Sequence, residues 1–249
     1  MRRDFSYLEK QPGDFLNDMA VLSEKPGKLI ALGAHYDVHA YMPAHFETYE
    51  IDFPRTLINA VPKRQGEFLA GRILACAALE RLPHPRASIA IGEWGSPLWP
   101  KGITGSISHS NGKCVCLVVC DAARLVGIDI EKVPTAASLK AILQEALNAE
   151  ERDRILQQTT MDAAVLATLT FSAKETIFKA LHPVVLQFFG FDAAIFNGVH
   201  GGHTLSFSIA YALHPDIPQN KEILIDFEVD GEFVRTWTVL DRHTLARLE

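Results

Sequence analysis

The stretch Gly127-Ile128-Asp129-Ile130-Glu131 constrains this chain more than any other. Apolar and acidic residues alternate through it with the period of a strand, which sets both isoleucines on one face and both carboxylates on the other. Further on, Phe171-Ser172-Ala173-Lys174-Glu175-Thr176-Ile177-Phe178-Lys179-Ala180 has helical spacing, and Glu175 and Lys179, four apart, share a face. Such a helix laid beside the strand gathers three carboxylates and one ammonium. Three carboxylates repel one another and raise one another's pKa, so the arrangement makes sense around a cation. Hard oxygen donors suit Mg²⁺, which keeps several waters and shares its shell with substrate phosphates. Each part also has an ordinary explanation. The acids fit the solvent face of an antiparallel strand, Ser172-x-x-Glu175 fits a helix capping box, and Glu175 with Lys179 fits a surface ion pair.

A second cluster lies earlier. From Pro62 to Leu82 the spacing predicts a helix, with proline at its first position and Phe68, Leu69, Ile73, Cys76 and Ala77 as an apolar stripe. Lys63 and Arg64 then fall in the first turn, where bare N–H groups and the helix dipole already favour anions. Basic side chains are unfavourable there unless an anion answers them, so Lys63, Arg64 and Arg72 read as a phosphate site. The alternative is a solvated basic face.

These segments are where a family resemblance enters. Gly127 to Glu131, followed by Phe171-Ser172-Ala173-Lys174-Glu175 and Lys179, resembles the signature of the 4'-phosphopantetheinyl transferases of the surfactin and enterobactin type. Pro62 to Arg72, Pro97-Leu98-Trp99-Pro100, Gly105-Ser106-Ile107-Ser108-His109-Ser110 and Phe189-Gly190-Phe191 extend the likeness in the same order. The resemblance implies a pseudo-dimeric α+β fold of two similar lobes with mainly antiparallel sheets, divided here as residues 1–124 and 125–249. It implies that Lys63, Arg64 and Arg72 help hold the 3'-phosphate or adenosine end of coenzyme A, and that Ser108 and His109 donate hydrogen bonds to phosphate. Lys179 joins that set at the pyrophosphate. Asp129, Glu131 and Glu175 become the Mg²⁺ ligands, and Glu175 and Lys179 the catalytic pair. The implied reaction moves 4'-phosphopantetheine from coenzyme A to a serine of an apo carrier protein and releases adenosine 3',5'-bisphosphate, for nonribosomal peptide or siderophore synthesis. One departure is visible: Gly95 and Ser96 stand before Pro97, where the family often carries a basic phosphate contact, and Lys101 is a possible substitute.

Other classes are weighed against this reading. Ser108-His109 suggests a hydrolase, but strand neighbours point to opposite faces and no GxSxG elbow precedes them. A Mg²⁺-dependent hydrolase of the coenzyme A pyrophosphate needs only the metal site and water. A non-catalytic coenzyme A binding protein needs only the basic helix. A net charge of −6, with the acid excess in the second half, gives no reason to expect nucleic acid. No run approaches the roughly twenty apolar residues of a membrane span, and Met1-Arg2-Arg3-Asp4 is not followed by an apolar signal core, so cytoplasmic residence is expected; a monomer is expected separately. Cys114, Cys116 and Cys120 share a strand face, and with Cys76 they read as core packing.

Taken in order, residues 1–27 read as an arm with one short helix. Leu29 to Leu32 and His35 to Tyr41 read as short strands, the histidines His35, His39 and His45 as packed side chains in preference to metal ligands. Asn111-Gly112 predicts a turn feeding strand Lys113 to Val119, which Asp121 to Arg124 joins in a hairpin to Leu125 to Glu131. Residues 135–158 predict a helix broken near Asn148, and Met161 to Leu181 a second one stopped by Pro183. Five strand-like runs follow: Val184 to Gly190, Ala193 to Phe196, Thr204 to Tyr211, Ile223 to Val229 and Phe233 to Leu240.

Overall fold

In the computed structural model, which describes residues 15–82 and 84–245, the chain divides after Ala122 into two compact units, each a helix laid on an antiparallel sheet. The architecture is α+β.

The first unit contains β1 (Leu16–Lys25), β2 (Leu29–Tyr36), helix α1 (Pro62–Arg81), the short β3 (Ala90–Ile91) and β4 (Pro97–Leu98), β5 (Thr104–Ser110) and β6 (Lys113–Val119). Its main sheet runs β1-β2-β6-β5, antiparallel throughout. Asn111-Gly112 forms the expected two-residue turn, with Ser110 paired to Lys113 and both turn residues at positive φ, 47° and 81°. That conformation is the one whose twist matches a right-handed hairpin. Alternation on β6 sends Cys114, Cys116 and Val118 into the same core as Leu69, Ile73 and Cys76 of α1. All four cysteines are free thiols; Cys76, Cys114 and Cys116 are buried, and Cys120 packs against the core.

Several expectations fail here for identifiable reasons. Residues 16–25 are a strand, because Leu16 to Lys25 finds an edge of β2 to pair with; residues 1–14 of the expected arm lie outside the described ones. The two short strands around His35 are one, Leu29–Tyr36, and Asp37 then caps a single turn through its bond to His39 N at 2.8 Å. His35 faces Asp18, His39 sits in that turn, and His45 is buried among Phe15, Tyr41 and Tyr49.

The second unit opens with β7 (Arg124–Lys132) and continues with α2 (Ala136–Glu145), α3 (Ala149–Gln157), α4 (Ala163–Val185), β8 (Ala194–His200), β9 (Thr204–Ile209), β10 (Glu222–Asp230) and β11 (Phe233–Asp241). Its sheet runs β7-β11-β10-β9-β8. The hairpin expected between β6 and β7 does not form. β6 pairs with β2 and β5, whereas β7 pairs along its whole length with β11, from Lys132 opposite Phe233 to Arg124 opposite Asp241. Local sequence suggested neighbours, but the longer ladder lies with a distant partner.

Asn148 breaks the helical region as expected, and does so as the N-cap of α3. Its side chain accepts from Glu151 N, and Glu151 returns a bond to Asn148 N. Pro183 does not stop α4. It sits in the last turn, and the helix ends at Leu186, which adopts a left-handed φ of 54°. The run from Val184 to Gly190 is therefore helix end and loop instead of strand. Leu166, Leu169, Ile177 and Leu181 of α4 pack on Phe196, Phe207, Ile223 and Ile225 of the sheet.

Candidate active site

A close approach of strand and helix in the second unit fixes the site. A Cβ built on Gly127 would stand 2.1 Å from the carbonyl oxygen of Thr176. Only glycine lets α4 settle this near β7. Alternation then turns Asp129, two residues on, toward the same helix, so the acidic face of the strand is a buried helix-facing surface. Asp129 is 2% exposed.

Both oxygens of Asp129 are answered by α4. Lys179 Nζ donates to Oδ1 at 2.6 Å and also reaches Ile128 O at 3.4 Å. Ser172 Oγ donates to Oδ2 at 2.7 Å. Ser172 is therefore no helix cap: α4 begins nine residues earlier at Ala163, capped by Asp162 through Ala164 N and Val165 N. Glu175 lies one turn before Lys179 and is partly buried. Burial pushes its carboxyl above the ordinary carboxylate value; the Lys179 charge pulls it back, and the Asp129 charge adds to the rise. Glu131 is on the same face of β7, partly buried, opposite Val234.

The structure thus brings Asp129, Glu175 and Lys179 together. Among the described residues no three His, Cys, Asp or Glu side chains converge as a cage for a metal ion, so the expected gathering of three carboxylates is a close pair with Glu131 beside it. Mg²⁺ is nonetheless suited by this donor set, because it binds through one or two carboxylates and takes the rest of its shell from water and substrate phosphates. A carboxylate held above its ordinary value by burial, with a neighbouring carboxylate adding to the rise, is also the condition that a divalent cation relieves.

Behind Glu175, Lys174 points the other way. Its ammonium is buried against Glu151 at 2.8 Å and Ala146 O at 2.9 Å, while Glu151 also accepts from Phe196 N at 2.7 Å. Burial lowers the Lys174 pKa and the Glu151 charge opposes that shift. This pair, and the hydroxyls of Ser172, Thr176 and Thr236, were not anticipated. The Asn148-x-x-Glu151 capping pattern was a legible signal for part of it; the position of Thr236 opposite Asp129 appears only with the strand pairing.

In the first unit, Arg64 and His109 meet, Nη1 to Nε2 at 3.3 Å. Glu67 lies 3.9 Å from both Lys63 Nζ and His109 Nδ1. Lys63, Arg64 and His109 are therefore one cluster at the uncapped start of α1, with Glu67 as a counter-charge that the sequence reading passed over. Arg72, expected with Lys63 and Arg64 at a phosphate site, lies in the core, which excludes the solvated basic face for this residue. It is 6% exposed, its Nε donates to Ile89 O at 2.7 Å, its guanidinium lies 4.4 Å over the Phe68 ring, and burial brings its pKa down to about 10. Ser108 is buried one position before His109 on β5, hence on the opposite face.

Fold and site together describe an α+β protein with a basic helix start in one unit and a carboxylate–ammonium site in the other, groups suited to a phosphorylated ligand. Two family models match: the 4'-phosphopantetheinyl transferase N-terminal domain over residues 53–119, and the 4'-phosphopantetheinyl transferase superfamily over residues 125–228. The chain belongs to that superfamily. It is 36% identical over 148 residues to enterobactin synthase component D of Salmonella typhi, 59% of this chain and 60% of that protein. It is 32% identical over 169 residues to the 4'-phosphopantetheinyl transferase Npt of Nocardia iowensis, 63% of this chain and 74% of that one. It is 38% identical over 142 residues to the 4'-phosphopantetheinyl transferase PptT of Mycobacterium tuberculosis, 55% and 60% of the two chains. The matched region therefore spans 60% of the Salmonella typhi relative's length and 51% of the Salmonella typhimurium one.

Proposed function

We propose that this protein transfers the 4'-phosphopantetheine group of coenzyme A to a serine hydroxyl of an apo carrier protein, releasing adenosine 3',5'-bisphosphate. The observation that carries the proposal is the Asp129–Lys179 pair with Glu175 one turn away, within residues 125–228 that the superfamily model matches. Asp129 and Glu175, with Glu131, would hold Mg²⁺, which when bound neutralises charge developing on the pyrophosphate. Lys179, anchored by Asp129, would give a proton to the departing phosphate oxygen. Glu175, held less acidic by burial, is the candidate to take the serine proton, a role a metal-bound water could equally fill.

Lys63, Arg64 and His109 are the proposed contacts for the 3'-phosphate of coenzyme A, supported by their convergence at a helix start. Arg72 and Ser108 belong to this set by resemblance. Arg72 would act from within the core, where its charge adds to that of Arg64. The two units are proposed as the coenzyme A side and the catalytic side. The carrier would dock on the segment from residue 136 to 156, where Leu156 is 67% exposed. Among the described residues no helix is long and apolar enough to cross a membrane. We place the protein in the cytoplasm as a monomer acting in nonribosomal peptide or siderophore synthesis; free cysteines fit that compartment.

The test is to incubate the protein with coenzyme A, Mg²⁺ and apo peptidyl or aryl carrier proteins and weigh the carriers by intact-mass spectrometry. A gain of one phosphopantetheine, abolished by EDTA, is expected. Cleavage of coenzyme A without a gain on any carrier would reassign the protein as a hydrolase, and binding without turnover as a coenzyme A binding protein.

A further inference from the structure

Helix α4 carries four buried side-chain hydroxyls, on Thr168, Thr170, Ser172 and Thr176. Thr168 Oγ1 donates to Ala164 O at 2.6 Å and Thr170 Oγ1 to Leu166 O at 2.8 Å. Bonding back to the carbonyl four residues earlier is the usual course for a hydroxyl inside a helix. Ser172 and Thr176 reach off the helix instead. Ser172 Oγ stands 2.7 Å from Asp129 Oδ2 and 2.9 Å from Thr236 Oγ1, and Thr236 Oγ1 stands 2.6 Å from Thr176 Oγ1.

The direction of this chain follows from its end. An ionised carboxylate only accepts, so Ser172 gives its single proton to Asp129. Its oxygen then accepts from Thr236, and Thr236 accepts from Thr176. Bonds in such a series polarise one another, and all three residues are fully buried, so water does not compete. Thr236 is placed for this by strand register, directly opposite Asp129 in the β7–β11 ladder.

We propose that Thr236 is a positioning residue for Asp129. By donating to Ser172 it keeps that hydroxyl turned toward Oδ2 and away from the carbonyl four residues earlier, the kind of acceptor that Thr168 and Thr170 take, which leaves Oδ1 for Lys179. The proposal rests on the reading of Asp129 as a ligand to Mg²⁺. Thr236→Val keeps the shape and removes the donor, while Thr176 retains an acceptor in Thr236 O at 3.3 Å.

Mn²⁺ serves as the probe, its free signal followed by electron paramagnetic resonance in the presence of coenzyme A, with thermal unfolding recorded for every variant. Thr236→Val is expected to weaken Mn²⁺ binding about tenfold, the lower end of what losing a group that orients a metal ligand does, and Thr236→Ser to restore it. Ser172→Ala, which breaks the chain at its next link, is expected to weaken binding at least as much, and decides the matter if Thr236→Val does not fold. Wild-type affinity in folded Thr236→Val or in Ser172→Ala would overturn the proposal while leaving the metal reading intact. Wild-type protein that holds no Mn²⁺, or Asp129→Ala that holds it as well as wild type, would overturn the metal reading and the proposal together.

Discussion

Asp129 and Glu175 are both acids of the proposed metal site, but their substitution has different consequences. Asp129 is buried with Lys179 on one oxygen and Ser172 on the other. Asp129→Ala leaves those donors unanswered, so we expect loss of about 1–3 kcal/mol in urea unfolding as well as loss of transfer. Glu175 is held in a place that penalises its charge. Glu175→Gln is expected to abolish transfer with no fall in melting temperature. His45 gives the clearest pH dependence. Its Nδ1 accepts from Met42 N at 3.2 Å, its Nε2 is buried without a hydrogen-bond partner among the described residues, and burial lowers its pKa. The unfolded chain therefore takes up this proton first. The stability linked to His45 is whole above the ordinary value of about 6.5 and is lost as pH falls through the lower folded value. Urea midpoints between pH 7 and pH 5 should fall for wild type and flatten for His45→Asn. Sequence alone named His45 but left its neighbours unknown, because Phe15 and Tyr49 reach it only through the fold.

At the level of elements, the contact between β7 and α4 governs the second unit. Gly127→Ala places a methyl against backbone, which cannot rotate away as a side chain can. The helix must move, and we expect destabilisation at or above the roughly 1–3 kcal/mol typical of overpacking, together with loss of transfer. Melting temperature and single-turnover transfer measure both. Lys174 and Glu151 tie α4 to the start of α3 and to Phe196 of β8. Lys174→Met alone leaves Glu151 charged and buried, a change that costs about 3–5 kcal/mol. Glu151→Gln added to it keeps an acceptor for the backbone and removes the charge, so the double variant should recover part of that loss in urea unfolding. Helix α4 was legible from its spacing, and so were the turn at Asn111-Gly112 and the break at Asn148. Pro183 misled because one missing N–H is tolerable in a final turn. The pairing of β7 misled because proximity in sequence favours a hairpin, whereas the nine-residue ladder to β11 satisfies more backbone.

For the whole molecule, the proposed function divides between the two units, and variants should divide with it. Arg64→Ala is expected to raise the KM for coenzyme A while leaving that for 3'-dephospho-coenzyme A unchanged, whereas Glu175→Gln should abolish turnover with both. Equal losses of affinity by wild type and Arg64→Ala on removing the 3'-phosphate would show that Arg64 is not its partner. The order of the motifs resembles one superfamily; residue types and spacing by themselves determined that Asp129 and Glu131 share a strand face and that Glu175 and Lys179 share a helix face. Those are short-range consequences of backbone period. Tertiary structure alone decided that the acidic face of β7 is buried under α4, that Arg72 lies inside the first core and that Thr236 stands opposite Asp129. Each of these depends on which distant segments pair and how closely they approach, and neither period nor composition encodes that distance.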